Sequence, residues 1–188
     1  LTRRNDAMHI NQYPGYAGKP IPYMPVTLHI SQKIARKIKA QGTSRLSAAA
    51  DPYLDWHARL FTHNRAQYII AANSRSLFCV FFHGAGITDE NLLLQSLTDS
   101  LKSVLHHSNL DIIFARRIAP NLDTIRIGAM HDKRIIGSMN EQIFQAKVVL
   151  DTEDTNPTDL ALKVNGVIMS LIKKQDPVEA FVRMENRD

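Results

Sequence analysis

The sequence holds a single cysteine, Cys79, among 188 residues. That excludes an intrachain disulfide and every zinc motif built from paired cysteines. Cys79 lies in the apolar run Leu77-Phe78-Cys79-Val80-Phe81-Phe82, where a thiol behaves as a small buried hydrophobe. No stretch reaches the roughly 18 apolar residues of a membrane span, and no signal-peptide h-region opens the chain. The expected compartment is the cytoplasm, with no membrane partner. Catalytic signatures are missing too: there is no H-E-x-x-H pair and no G-x-S-x-G elbow. His83-Gly84-Ala85-Gly86 lacks both the G-K-[ST] of a phosphate loop and the third glycine of a dinucleotide fingerprint, so it reads as a strand exit. No cofactor is called for, and no enzyme class is recognisable.

Acidic residues are scarce in one region only. Residues 1–50 carry eight Lys/Arg against the single acid Asp6, a balance of +7, while the remaining 138 carry fifteen bases and seventeen acids, a balance of −2. The excess positive charge is therefore N-terminal. Residues 1–23, rich in proline and glycine and without apolar periodicity, are expected to be an extended tail, with Met8 or Met24 as a candidate natural start. Behind it, Lys33, Arg36, Lys37 and Lys39 crowd one short helix, a face that can track phosphates or simply be solvated. These four are the nucleic-acid-binding candidates, with an acidic protein as the other partner such a face would take.

What remains is an α+β pattern in one domain over 24–174, followed by a polar C-terminal tail at 175–188. The spacing predicts a mainly antiparallel sheet with a central hairpin at about 67–82 and about five helices packed on it. Val26–Ile30 alternates as a strand, and a helix follows over 32–41, ended by Gly42. Asp51 and Pro52 open a second helix with Tyr53, Trp56 and Leu60 as its stripe and His57 beside it. The runs 67–72 and 76–82, apolar on both faces, read as central strands joined by Asn73-Ser74-Arg75. Thr88 or Asp89 caps a helix to about His107 that buries Leu93 or Leu94, Leu97, Leu101, Val104 and Leu105. Residues 110–119 fit strand or helix alike. Asp123–Gly128 alternates as a strand, with 134–136 as a short partner. Ser138-Met139-Asn140-Glu141 satisfies a capping box for a helix to about Leu150, and Asn156-Pro157 opens the last helix, to about Lys174.

The eight histidines do not assemble a metal site by spacing. His57 and His63 are six apart, and the adjacent His106 and His107 point in different directions on a helix; no metal is expected. His57 is a weak acid–base candidate, set against the commoner half-buried structural histidine. The most informative constellation is Arg134, Gly137, Ser138 and Asn140. A glycine and a serine at a helix N-terminus behind two bases would offer free N–H groups to an anion, although a plain helix cap explains the same residues.

Three segments carry a resemblance: Val26-Thr27-Leu28-His29-Ile30-Ser31-Gln32-Lys33; Asp55-Trp56-His57-Ala58-Arg59-Leu60 running on to Asn73-Ser74; and Arg134-Ile135-Ile136-Gly137-Ser138-Met139-Asn140. In this order and spacing the chain resembles an uncharacterised bacterial family classified as a domain of unknown function, over about residues 24–150. Similar segments beside a plasmid-type open-reading-frame domain imply a mobile-element neighbourhood. The resemblance brings no catalytic role. The expectation is a non-enzymatic binding or accessory protein that uses its basic N-terminal region; the alternative is an enzyme acting on a phosphorylated substrate through an anion site at 134–140.

Overall fold

Strand β1 (Val26–Ile30) forms where β-branched and apolar residues alternate, and every one of its residues is buried. The computed structural model describes residues 24–41 and 43–185; the expected tail at 1–23 and the helix end at Gly42 lie outside the described residues. The other strands are β2 (Asp55–His63), β3 (Ala66–Asn73), β4 (Cys79–His83) and β5 (Ile125–Ala129), in one sheet of order β4-β3-β2-β1-β5. The sheet is mixed. β1 pairs in parallel with β2 and β5, while β2-β3 and β3-β4 are antiparallel. Six α-helices complete the α+β domain among the described residues: α1 (Gln32–Lys37), α2 (Glu90–His107), α3 (Asp111–Ile113), α4 (Lys133–Thr152), α5 (Pro157–Asn165) and α6 (Pro177–Val182). None is long and apolar enough to cross a membrane.

The second expected helix is instead β2. Pro52 does start a helical turn, with the Asp51 carboxylate accepting from Tyr53 N–H, but the turn covers only Pro52–Leu54. Trp56 and Leu60 fit a helical stripe and a strand face equally well, and pairing on both sides decides for the strand. The hairpin β2-β3 turns at Asn64-Arg65, both at positive φ (44° and 65°), as a two-residue turn with the right-handed twist of its strands requires. The expected hairpin between β3 and β4 is present, but β4 is an edge strand. Asn165 caps the start of that edge, its amide donating to Cys79 O and accepting from Cys79 N–H at 2.8 Å each, so the position at Cys79 is closed to strand addition by other chains.

Three boundaries move. Residues 111–121 are helical, including a π turn at Phe114–Ile118. α4 starts at Lys133, capped by the Asp132 carboxylate, so 134–136 is not a strand and Gly137 and Ser138 lie inside the helix. α5 stops at Gly166 instead of near Lys174. The expected polar tail over 175–188 carries α6, whose Phe181 is fully buried against Phe78, Tyr53 and Trp56 at ring distances of 4.6, 5.0 and 6.3 Å. One aromatic in a short polar segment gives no periodicity, so only packing reveals it.

Candidate functional site

Side chains two apart on a strand share a face, and residues paired across neighbouring strands share it as well. Asp55 and His57 are two apart on β2, and the parallel register sets His29 of β1 directly opposite His57. The three side chains therefore meet on one face. The residues His29, Asp55 and His57 are 2%, 5% and 4% exposed, so they form a polar cluster inside the sheet layer. The imidazoles stack with centroids 4.5 Å apart, and His29 Nε2 donates to Asp55 Oδ1 at 3.2 Å.

The supports are local and specific. Asn73, at the end of β3, donates to Pro52 O and Asp55 O, and its carbonyl collects Arg75 N–H, Ser76 N–H and the Ser76 hydroxyl. That ties the β3-β4 turn onto the start of β2 and sets Ser74 beside His57. The Ser74 hydroxyl oxygen lies 3.1 Å from Asp55 O and 2.9 Å from His57 Nδ1; when it donates to Asp55, it accepts from His57 Nδ1–H. With the ring proton on Nδ1, the lone pair sits on Nε2. His57 Nε2 and His29 Nδ1 are buried without any hydrogen-bond partner among the described residues. Such orphaned groups are rare enough in folded proteins to need an explanation.

Burial, helped by the charge of neighbouring His29, pushes the His57 imidazole down to about 4, against the smaller opposing pull of Asp55 and Asp132. The ring is neutral at physiological pH. Burial alone would raise the Asp55 carboxyl. Hydrogen bonds from His29, Ser74 and the Ala49 N–H outweigh it, and the carboxyl stays below its ordinary value as an anion.

These side chains floor a cavity of about 510 Å³. Its walls are the 46–50 loop, the Arg75 turn, the start of α4 with His131, Asp132 and Arg134, and Leu171-Ile172. The loop is held on the sheet edge by Ala129 N–H donating to Ser44 O, and Leu46 lies against Gly128, which faces His29 across the register. A Cβ at Gly128 would come within 2.6 Å of Leu46 Cγ, so only glycine admits the loop. His131 adds an edge-on ring contact to His29 at 5.7 Å. Arg134 is 78% exposed at the mouth and rests on Asp132, which its own bonds to the Arg134 side chain and to the Arg134 and Ile135 N–H groups hold below the usual carboxylate range despite partial burial.

Of the sequence candidates, His57 and Arg134 converge on this cavity. Asn140 does not: it lies two turns into α4, where Arg59 donates to it and to Ile136 O. Gly137 and Ser138 offer no helix-start N–H groups, because the true start is five residues earlier than Ser138, at Lys133. The physical reason is that the Asp132 carboxylate accepts from the Arg134 and Ile135 N–H groups and so starts the helix there, and a 20-residue helix tolerates one interior glycine at about 1 kcal/mol. On α1, Lys33 and Arg36 are exposed, Lys37 donates to Gln67 Oε1 at 2.8 Å, and Lys39 lies beyond the helix end at positive φ. The sequence reading missed His29 and Asp55. The available signal is D-x-H at strand spacing beside V-T-L-H-I, and a helical reading of 52–60 hides it.

A protein-family model described as Domain of unknown function (DUF6933) matches residues 27–180, a span that contains the whole floor of the cavity and both arginines at its mouth. No curated protein matches the chain.

Proposed function

The chain belongs to this family of unknown function, and we propose that the domain binds a small anionic molecule in the cavity, with His57 Nε2 as the atom that accepts a proton from it. One observation carries the reading: a buried imidazole nitrogen without a partner, on a ring whose other nitrogen is held by Ser74, at a cavity with two arginines at its mouth. A general base needs a lone pair within reach of the substrate and a defined tautomer, and the Ser74 contact supplies the second. Arg75 and Arg134 are both exposed and line the opening, where a guanidinium can engage a carboxylate or phosphate through two parallel bonds. This is the acid–base alternative in altered form: the anion is held by side chains at the mouth, not by N–H groups at Gly137.

Thermal shift with millimolar inorganic phosphate tests it, in the presence of a chelator. Wild type is expected to gain stability by mass action, and Arg134→Ala to lose most of that gain without a change in its unliganded melting temperature. Equal gains in both proteins, or none in either, would refute the anion reading. A second reading rests on α1, where Lys33 and Arg36 stand exposed. Nucleic-acid binding through them would weaken steeply with salt, and Lys33→Gln with Arg36→Gln would flatten that dependence.

A further inference from the structure

We propose that His29, Asp55 and His57 form a binding site for a divalent transition-metal ion of the zinc class, open on one side to the cavity. The proposal rests on the reading of this pocket as the anion site and revises its floor: with an ion bound, the His57 Nε2 lone pair is a ligand, and it accepts a proton from the anion only in the metal-free chain.

The donor set is the first argument. Two imidazoles and one carboxylate are the ligand combination of open, three-ligand zinc centres, which keep a further position for water or substrate. Each of the three residues offers one ligand atom, and these atoms lie within 4.8 Å of one another. His29 Nε2 and Asp55 Oδ1 are already 3.2 Å apart. Neighbouring donors of a tetrahedral ion with ligands at about 2.0 Å are about 3.3 Å apart, so this edge needs almost no movement. The ion takes the place of the proton between these two atoms, and the His29 ring carries its proton on Nδ1 instead.

The second argument is burial without partners. A carboxylate and two imidazoles are expensive to bury, and such groups normally find a full set of hydrogen bonds or a metal. Here two ring nitrogens, both on residues at least 96% buried, have no partner among the described residues, and the ion would satisfy one of them, His57 Nε2, while His29 Nδ1 stays outside its coordination. His57 Nε2 is the lone-pair nitrogen, as metal ligation demands.

The third argument is the surrounding shell. Metal-bound histidines usually donate their other ring N–H to a fixed acceptor, and ligating carboxylates are themselves hydrogen-bonded. His57 Nδ1–H is fixed by Ser74, and Asp55 Oδ1 is fixed by the Ala49 N–H. Both supports hang on the Asn73 turn and the 46–50 loop, which also wall the cavity. The open coordination position thus faces the space where an anion would enter, and an anionic oxygen is the ligand chemistry it would take.

The test is titration of the full chain, first stripped by a chelator and then dialysed free of it, with Zn²⁺ by calorimetry and with Co²⁺ by visible absorption. The expected result is one ion per chain and a Co²⁺ spectrum of low coordination number. His29→Gln and His57→Gln should each weaken binding roughly tenfold or more. His107→Gln, at the end of α2 and outside the cluster, should bind as wild type does. Equal binding by wild type and the cluster variants, or none by wild type, would overturn the proposal. If either variant fails to fold, ring-nitrogen NMR of wild type decides: Zn²⁺ must shift the His29 and His57 resonances, and Zn²⁺ that leaves both unmoved refutes the site. Phosphate binding is measured separately in chelator. Failure of zinc alone removes the metal and leaves the anion reading, whereas failure of phosphate alone removes that reading and leaves the metal.

Discussion

Lowering the pH should unfold the metal-free protein in a way that depends on His57. The imidazole sits at about 4 in the folded state against 6.5 in its ordinary state, chiefly because it is buried and secondly because His29 is beside it. The group's folded value is depressed, so the unfolded chain binds its proton first as pH falls. Stability is complete above about 6.5 and is lost as pH falls through the interval to about 4. At pH 5 the unfolded imidazole is almost fully protonated and the folded one about one-tenth so, giving a slope of about 1.2 kcal/mol per pH unit. Between pH 7 and 4.5 the accumulated loss is about 2.5 kcal/mol. Because His57 is buried, only 4% of the residue being exposed, solvent screening does little to reduce this. Asp55, held low by its hydrogen bonds, acts in the same direction at more acid pH. Urea denaturation with a chelator present, in steps from pH 7 to 4.5, gives the slope for wild type and for His57→Gln. The variant should be less stable at pH 7 yet lose markedly less on acidification. Parallel curves would mean that His57 does not titrate with folding, and the reasoning from its burial would fail.

Two further perturbations follow from the packing. Gly128→Ala drives a methyl into Leu46 and should destabilise by about 1–3 kcal/mol while loosening the 46–50 loop, read as faster amide exchange at Ala49; an unchanged melting temperature would show that the loop yields freely. Phe181→Ala removes a ring packed on Phe78, Tyr53 and Trp56 and should cost about 3–5 kcal/mol by urea denaturation, whereas a loss below about 1 kcal/mol would mean that α6 is not part of the core.

The parts of this fold that were legible are those whose causes are local. α2 runs from an Asp89 cap to His107 and buries Leu93, Leu97, Leu101, Val104 and Leu105, all of which its 3.6-residue period marks. α5 begins at the Asn156-Pro157 signal, and the Asn73 turn joins the strands it was expected to join. Illegible parts depend on pairing between distant segments. Trp56-His57-Ala58 has no preference between strand and helix until β1 and β3 flank it, and Gly137-Ser138 imitates a helix start that Asp132 in fact supplies. The candidate site falls in this second class. His57 and Arg134 could be named as single candidates, but His29 reaches His57 only through a parallel register across a gap of 28 positions, and no local pattern encodes that contact.

The central claim is that His57 keeps an unprotonated, unpartnered Nε2 buried beneath the cavity, and long-range proton–nitrogen NMR of the histidine rings in the metal-free wild-type chain at pH 7 tests it most directly. The account predicts a neutral His57 ring protonated at Nδ1, with an unprotonated Nε2 whose resonance moves on addition of phosphate. A ring protonated at Nε2, or an Nε2 resonance indifferent to phosphate, would contradict it.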